Sequence, residues 1–405
     1  MTSRVDRLLG ARLPDPPESL RRGPFRAGAF SSPLHSDRRA ARVGVWLGTA
    51  FLVCFLTGLL SHLIQQPPSW FRLPASPVWG YRVTQGVHVA AGIAAVPLLL
   101  VKLWTVYPLL FEWPPASTVS RAVGRLSLLV LVGAAVMQLA TGLINISQWY
   151  PFGFNFTRGH YWTGWIAIGA VAVHVGAKAP QIRRALARHR APTADAGDRA
   201  GGRAGDGDTG LPRRAFVLAT GLGVTAVTLT TVGQTLSPLS SVSLLAPRLP
   251  RSGPEDLPVN QTAAAADVER SATDPAYRLV VAGPNRLELS LADLRARPQH
   301  RQSLPIACVE GWSADATWTG VRLADLLEEA GLPAGTPLVV ESLQTGGLYR
   351  TSRIDEPHAR DPRTLLALQL EGRPLSLDHG FPVRLISPNR PGVMQTKWVS
   401  LVRPA

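Results

Sequence analysis

Cysteine is nearly absent from this chain, and its scarcity excludes several kinds of site. Only Cys54 and Cys308 occur among 405 residues, the first inside an apolar stretch and the second in a more polar region. A structural disulfide is not expected, because the two thiols fall on parts of the chain that cannot easily meet. A single thiolate is also too few ligands for a zinc or iron–sulfur site, which needs several Cys or His side chains.

The sequence also lacks the features of a nucleic-acid reader. Its formal net charge is +15, but no basic helix carries regularly spaced aromatic residues or a known reader motif. The positive charges instead flank apolar stretches, with nine arginines in residues 1–42 and nine lysines or arginines in residues 178–214. This distribution is typical of membrane proteins, whose cytoplasmic segments are enriched in Lys and Arg. Nucleic acid is therefore not expected as a partner.

Long hydrophobic runs are abundant in the first 240 residues. Five candidate spans have about 20 residues each, the length that crosses a hydrocarbon core. They are Val43–Ile64, Tyr81–Val106, Leu126–Ile146, Tyr161–Ala179 and Ala215–Leu236. The distribution of Lys and Arg predicts a multi-pass protein of the cell membrane, with a cytoplasmic N-terminus and an extracytoplasmic C-terminal domain.

The composition divides the chain into six segments. In order they are a basic cytoplasmic segment (1–41), a four-helix membrane domain (42–180), a flexible cytoplasmic linker (181–213), the fifth span (214–238), an extracytoplasmic linker (239–275) and a folded domain (276–405). Short strand-like runs and helices alternate in the last segment, which predicts an α+β domain. Arg213 and Arg214 are either ordinary topology anchors or a twin-arginine export signal placed inside the chain.

Histidine occurs where ionisable residues are rare. His62, His88, His160 and His174 lie in or at the edge of the first four spans, and such groups at membrane depth are usually functional. His160 and His174 share one face of a helix, roughly 21 Å apart along its axis. That separation suits two stacked haems, since neutral imidazole is a standard axial ligand of b-type haem iron. A hydrogen bond to a neighbouring helix is the alternative for each histidine.

Residues 35–180 resemble the four-helix di-haem cytochromes b of the bacterial b561, formate dehydrogenase and hydrogenase type. The resemblance implies one or two haem b groups, with His160 and His174 binding separate haems. It implies further haem candidates at His88 as the partner of His160, at His35 as the inner ligand, and at His62 as a contact for a quinone or a haem propionate. It also implies a membrane quinone or quinol as the electron partner.

Cys308 lies in "LPIACVEGWS", where a strand-like run leads into a turn. An unpaired cysteine on the oxidising side of a membrane is a liability unless it is buried or ligated. A metal whose other ligands come from an organic cofactor would give this sulfur a permanent partner. The alternative is an inert buried thiol.

Two stretches, "LPIACVEGWSADATWTGVRLADLL" and "DHGFPVRLISPNRPGVMQTKWVSLV", resemble the molybdopterin domain of the sulfite oxidase superfamily over residues 259–405. "CVEGWS" is most similar to the catalytic subunit of the periplasmic methionine sulfoxide reductase. The resemblance implies a Mo-molybdopterin cofactor, with Cys308 as the molybdenum ligand and catalytic residue. It also implies cofactor contacts from His379, Arg384 and Lys397, and from Trp312 and Ser313 of the cysteine motif. A solvated strand face is the alternative for Arg384 and Lys397.

The predicted function is a membrane-bound molybdopterin-dependent oxidoreductase that reduces an S-oxide, such as a methionine-sulfoxide-type substrate, or an N-oxide by oxygen-atom transfer. Electrons would pass between quinone, haem b and an extracytoplasmic molybdenum centre. Glu310, beside the predicted ligand, argues against an anionic substrate, since like charges repel in a site of low dielectric constant. The alternatives are sulfite-type oxidation in the reverse direction and a non-enzymatic haem protein with a partner-binding outer domain. The Asn260-Gln-Thr sequon is given no specific role, and no oligomeric state is predicted.

Overall fold

The computed structural model describes residues 4–26, 28–30, 35, 37–187, 213–248 and 253–405. The chain divides into two compact units. The first comprises Met1–Phe55, Ala91–Asn145 and Trp149–Thr228, and the second comprises Leu56–Ala90, Ile146–Gln148 and Leu229–Ala405. Most of the predicted cytoplasmic linker, residues 188–212, lies outside the described residues.

Long helices account for most of the described residues before position 233. After the short helix α1 (Arg4–Leu9) come α2 (Asp37–Gln65), α3 (Gly80–Val106), α4 (Val119–Ile146), α5 (Phe156–Ala187) and α6 (Arg213–Val232). Runs of Leu, Val and Ala without interior charge favour helices of this length in an apolar medium.

Four of the described helices are long and apolar enough to cross a membrane: Arg38–Gln65, Gly80–Phe111, Val119–Ile146 and Ala215–Val232. Helix α5 is 32 residues long but is not among them. Its histidines and tryptophans, such as His160 and Trp162, lower its mean hydropathy. The helical N-terminal region is thus confirmed, whereas five membrane crossings stay a prediction.

The C-terminal domain consists of short strands and helices. The strands are β1 (Leu279–Val281), β2 (Leu287–Leu289), β3 (His300–Ala307), β4 (Ser313–Arg322), β5 (Leu338–Ser342), β6 (Thr351–Ile354), β7 (Leu365–Leu370), β8 (Arg373–Pro374), β9 (Arg384–Ile386) and β10 (Val399–Pro404). The helices are α7 (Glu269–Thr273), α8 (Leu291–Ala296), α9 (Leu323–Glu329) and α10 (Glu356–Ala359).

Two five-stranded sheets organise these elements. One has the order β2-β1-β10-β5-β6, and in the other β3-β4-β7-β8 are adjacent while β9 pairs with β7. The last strand, β10, lies between β1 and β5, parallel to the first and antiparallel to the second. This sheet can therefore form only when β10 is in place, because β10 joins β1 to β5.

The leucines of helix α9 form part of the hydrophobic core. Leu323, Leu326 and Leu327 are almost completely buried, the spacing expected when one helical face packs on a sheet. They join one hydrophobic cluster with buried residues of both sheets, such as Leu338 and Leu366. This helix therefore covers one side of the domain core.

Part of the predicted extracytoplasmic linker, 239–275, belongs to the folded domain. Ala263, Val268 and Ala272 are buried together with Trp398, which precedes β10. The domain therefore begins before residue 276, because these small apolar side chains are covered only when they pack on the C-terminal residues. The domain boundary predicted at residue 276 is therefore too late, whereas the family resemblance over residues 259–405 already includes this segment.

Candidate functional site

Cys308 occupies a tight turn between two paired strands. Strands β3 and β4 are antiparallel, with Ala307 opposite Ser313, so the intervening residues must reverse direction. The Cys308 N–H donates to the Trp312 carbonyl at 2.8 Å, and the Gly311 N–H donates to the Cys308 carbonyl at 3.1 Å. Gly311 has a φ of +90°, a conformation that glycine adopts without steric cost. The turn thereby holds the cysteine in place at the level of the backbone.

Two N–H groups point at the Cys308 sulfur. Asn260 Nδ2 lies 2.6 Å from Sγ, and the Glu310 backbone N–H donates to the same sulfur at 3.4 Å. Trp312 Nε1 donates to Asn260 Oδ1 at 2.8 Å and so fixes the orientation of the amide. Burial raises the pKa of the Cys308 thiol to about 12, and the nearby Glu310 charge adds to this shift. The donors instead favour the thiolate, which is the form that binds a metal.

Two cationic side chains, the buried Arg384 and the partly buried Lys397, interact electrostatically with Cys308. Burial lowers the pKa of Arg384, at the start of β9, to about 10, while the Cys308 charge opposes that shift. Burial also lowers the pKa of Lys397 to about 7, with a further lowering from Arg384. Both side chains interact electrostatically with Cys308, so all three groups belong to one site. The alternative of a solvated strand face does not apply to Arg384, which is 6% exposed.

Arg384 has fewer partners than a buried guanidinium needs. Its Nη1 donates to the His379 carbonyl at 3.2 Å, and the group lies 5.2 Å from the centre of the Trp318 ring. Its Nε is buried and has no hydrogen-bond partner among the described residues. Lys397 donates to two carbonyl oxygens, of Gln261 and Asp378. In the part of the chain that the structure describes, neither side chain is hydrogen-bonded to a carboxylate oxygen, so a phosphate-bearing cofactor fits them by charge and by hydrogen bonding.

The other residues predicted to bind the cofactor have distinct places. His379 is buried, with Nε2 3.5 Å from Glu255 Oε2. The hydroxyl of Ser313 is buried without a hydrogen-bond partner. Trp312 contacts Asn260, as described above. Ser313 therefore has an unsatisfied polar group that a cofactor could satisfy, whereas Trp312 acts through Asn260.

Sequence reasoning missed two residues of the site. Asn260 was given no specific role, which is wrong, because its amide is hydrogen-bonded to the Cys308 sulfur. Burial raises the pKa of the Tyr349 phenol, and the charges of Cys308 and Glu310 raise it further. Tyr349 lies in the loop between β5 and β6, and it is 38% exposed. No local sequence pattern distinguishes Asn260. Tyr349 could have been noticed from the sequence, because it is an aromatic residue between a pair of glycines and an arginine.

His88 and His160, two of the predicted haem ligands, have the same local surroundings within their respective units. Nδ1 of His88 is 3.1 Å from the hydroxyl of Thr57, and Nδ1 of His160 is 2.8 Å from that of Thr141. Each threonine is followed by a glycine beside the same ring. A Cβ on Gly58 would lie 3.1 Å from His88 Cε1, and one on Gly142 would lie 3.7 Å from His160 Cε1. The same arrangement, a Thr-Gly pair that contacts a histidine of the next helix, thus occurs twice in the chain.

The remaining predicted haem residues differ from this pattern. His35 packs its ring against Trp104 and Tyr107, with ring centres 4.8 and 5.3 Å apart. His174 lies on α5, as does His160. His62 lies in the last turn of α2. Their roles in haem or quinone binding stay predictions.

Comparisons with known proteins found one matching family model and several similar proteins. Residues 265–403 match the family model described as oxidoreductase molybdopterin binding domain. Mitochondrial sulfite oxidase of Mus musculus is 34% identical over 156 residues, which cover 31% of this chain and 28% of the relative. A putative protein-methionine-sulfoxide reductase subunit, YedZ1, of Azospira oryzae is 34% identical over 135 residues, which cover 33% of this chain and 50% of the relative. The solved sulfane dehydrogenase SoxCD of Paracoccus pantotrophus matches at 25% identity and a TM-score of 0.30, covering 32% of this chain and 38% of that one.

The chain thus spans no more than half the length of these relatives. The match over residues 265–403 nevertheless supports the predicted molybdopterin-binding oxidoreductase domain, similar to that of sulfite oxidase. A domain of this type implies a Mo-molybdopterin cofactor. The cytochrome b561-type identity of the helical region stays a prediction.

Proposed function

We propose that the chain is a membrane-bound oxidoreductase in which Cys308 holds the metal of a Mo-molybdopterin cofactor. The observation that carries the proposal is a buried thiol that is hydrogen-bonded through its sulfur and interacts electrostatically with the buried Arg384 and the partly buried Lys397. An inert cysteine would need neither N–H donors at its sulfur nor positive charge around it. A phosphate-bearing metal cofactor accounts for all three features.

Bound molybdopterin supplies oxygen-atom transfer together with the storage of two electrons. Cys308 would lose its proton on ligating the metal, and the N–H groups of Asn260 and Glu310 would stabilise the charged sulfur. Arg384 and Lys397 would bind the phosphate of the cofactor by charge and by hydrogen bonds. The protein thereby provides orientation and electrostatics for chemistry that belongs to the cofactor.

The substrate class that we propose is a neutral S-oxide or N-oxide, such as a methionine-sulfoxide-type group. Such a substrate takes up two electrons and two protons to give the reduced compound and water, and a membrane quinol can deliver both. Glu310 places negative charge close to Cys308, which disfavours an anion at the same position. The names of relatives such as the sulfite oxidase of Mus musculus favour sulfite oxidation as the second candidate.

Metal analysis and mixing experiments test this function. Purified full-length protein is expected to contain about one molybdenum per chain, since one thiolate ligates one metal. Sulfoxides and N-oxides should reoxidise the prereduced protein, whereas sulfite should not reduce the oxidised protein. Reduction by sulfite would reverse the proposed direction. Absence of molybdenum from protein made in cells that synthesise the cofactor would leave a partner-binding domain instead.

We further propose that the helical region binds haem b, with His88 and His160 each as an axial ligand. A metal-ligating histidine usually donates its other ring N–H to a fixed acceptor, which sets the ring orientation. The hydroxyls of Thr57 and Thr141 lie within hydrogen-bond distance of Nδ1 of His88 and of His160, respectively, so Nε2 would be the ring nitrogen that ligates iron. Four helices apolar enough to cross a membrane support a location in the cell membrane, and the charge distribution supports a cytoplasmic N-terminus.

The haem assignment predicts the spectrum of a His160→Ala protein. We expect it to lose one b-type signal from the reduced-minus-oxidised spectrum, because one axial ligand is gone. Thr141→Val is the matched variant, since it keeps the ligand and removes only the hydrogen bond to Nδ1. It should retain the haem with a changed midpoint potential. A His160→Ala spectrum identical to that of the wild type would show that this histidine is not a ligand.

A further inference from the structure

The turn that carries Cys308 is held by polar side chains from outside its own domain. Within the second compact unit, Gln85 of α3 donates through Nε2 to the Val309 carbonyl at 3.1 Å. Thr235 donates its hydroxyl to the Gly311 carbonyl, and the Ser313 N–H donates to the Gln234 carbonyl at 2.8 Å. Gln148, just after α4, donates to the Glu310 carboxylate. Segments that precede the folded domain in the chain thus satisfy several polar groups of this turn.

Gly311 shows how closely these segments approach the turn. A Cβ at this position would lie 3.1 Å from Val89 Cγ2, 3.2 Å from Gln234 Nε2 and 3.3 Å from Ile146 Cγ1. A side chain would therefore push the turn away from its neighbours. The turn is closely packed against these residues, and close packing without voids leaves it little freedom to shift.

One hydrogen bond in this set bears directly on the sulfur. The Val309 carbonyl and the Glu310 N–H belong to the same peptide group. A trans peptide is planar, and its C=O and N–H point in opposite directions. Gln85 holds the carbonyl on one side, while the N–H on the other side donates to Cys308 Sγ at 3.4 Å. Fixing the oxygen therefore aims the N–H at the sulfur.

We propose that Gln85 is a positioning residue for Cys308, and that it tunes the metal-ligating sulfur through the Val309–Glu310 peptide group. This inference rests on the proposed function. Gln85 is suited to the role because it is buried, and a buried amide without its acceptor would be costly. Hydrogen bonds to a ligating cysteine sulfur draw electron density from it and so set the redox potential of the metal.

The same residue connects the site to a predicted haem ligand. Gln85 and His88 are three residues apart on α3, so they are neighbours across one helical turn. The path from His88 to the peptide group beside Cys308 therefore consists of one turn of helix, one side chain and one hydrogen bond. A substitution at Gln85 is expected to affect the sulfur more than the histidine. The reason is that the Gln85 side chain contacts the peptide group beside the sulfur, whereas His88 is connected to Gln85 through the helix backbone, which the substitution leaves unaltered.

Gln85→Met tests the proposal, since methionine has a similar length and no N–H donor. In the full-length, molybdenum-loaded protein we expect a changed Mo(V) electron paramagnetic resonance signal and a lower Mo(V)/Mo(IV) midpoint potential. The ratio of reduced to oxidised metal at a fixed potential should fall roughly three- to tenfold, as expected for the loss of one hydrogen bond. A wild-type signal and potential in this variant would overturn the proposal.

Two further variants separate positioning from general damage. Gln85→Glu is protonated in this buried place, because burial favours the neutral acid, and its O–H can replace the lost donor. It should therefore restore the wild-type signal near pH 6. Thr84→Val is the matched control on the same helix, since Thr84 donates only to the Gly80 carbonyl at 3.1 Å, and it should leave the signal unchanged. A change of the same size in Thr84→Val would also refute the proposal.

Hydrogen exchange distinguishes a failure of this inference from a failure of the proposed function. In cofactor-free full-length protein, exchange in the 308–313 peptide should be roughly three- to tenfold faster in Gln85→Met than in the wild type, because one hydrogen bond no longer orders the turn. If the wild-type protein contains no molybdenum, the proposed function is wrong. The hydrogen-exchange measurement then tests by itself whether Gln85 positions the turn. Unchanged exchange would then reject that role.

Discussion

A Cys308→Ser protein is expected to lose more than about a hundredfold of its turnover, since removing only a partner of a metal ligand already costs about 10- to 100-fold. The physical reason is the change of ligand. A thiol is deprotonated by the metal that it binds and offers a soft, polarisable sulfur, whereas a serine hydroxyl offers a hard oxygen that keeps its proton far more strongly. The Glu310 N–H, 3.4 Å from the sulfur, would lie still farther from an oxygen, because a C–O bond is shorter than a C–S bond. Turnover is measured with quinol and with a sulfoxide or N-oxide identified by the mixing experiments.

The chain offers its own control in Cys54, the second cysteine, which lies in α2. Cys54→Ser should keep both turnover and bound molybdenum, because Cys54 is not part of the site around Cys308. The reduced haem spectrum should be the same in both variants and in the wild type, since neither cysteine is a proposed haem ligand. Unchanged turnover in Cys308→Ser would remove the thiolate from the mechanism.

An Arg384→Met protein is expected to bind the cofactor much more weakly while its cofactor-free form remains at least as stable as the wild type. Without a phosphate, Arg384 is a buried cation whose Nε has no partner, and an incompletely paired buried charge opposes folding. With a phosphate, the same group makes charge-assisted hydrogen bonds worth about 1.5–3 kcal/mol each. Losing one such bond lowers the affinity by at least about tenfold. A substitution that weakens cofactor binding but does not reduce the stability of the cofactor-free protein identifies a residue whose role is to bind the ligand.

Molybdenum content after extensive washing measures the first effect, and thermal unfolding of cofactor-free protein measures the second. Arg373→Met is the matched control, because Arg373 lies on β8 and is exposed. It should change neither quantity appreciably, since exposed charges contribute little. Full retention of molybdenum by Arg384→Met would show that this guanidinium does not contact the phosphate.

The motif around Cys308 could be predicted from sequence because its information is local. A strand-like run leads directly into the turn at Cys308, so β3 and this turn follow from short-range patterns. The pairing of β3 with β4 and the burial of Cys308 appear only in the folded chain. The long helices were predictable for the same reason, since hydropathy over about 20 residues decides whether a helix suits an apolar medium. Helix α5 was harder to classify, because its histidines and tryptophans interrupt that pattern.

Other contacts of the site were invisible to any local pattern. Asn260 is 48 positions from Cys308, and Gln85 is 224 positions from Val309. Neither residue lies in a stretch whose composition sets it apart from an ordinary polar position. The segment around Val268 lies outside the predicted bounds of the folded domain, because only its packing on Trp398 shows that it belongs to the core. Their roles depend on which surfaces meet, and that is a property of the folded chain.

By itself, the sequence determined the helical region, the sheet-containing C-terminal domain and the cysteine motif, since hydropathy, turn residues and neighbouring strands act over short distances along the chain. Only the tertiary structure decided which groups surround the sulfur, that Arg384 is buried without a full set of partners, and that Gln85 reaches the peptide group beside Cys308. The reason is physical: hydrogen bonds and desolvation depend on distances of a few ångströms in space, and residues far apart in sequence reach those distances only when the chain has folded.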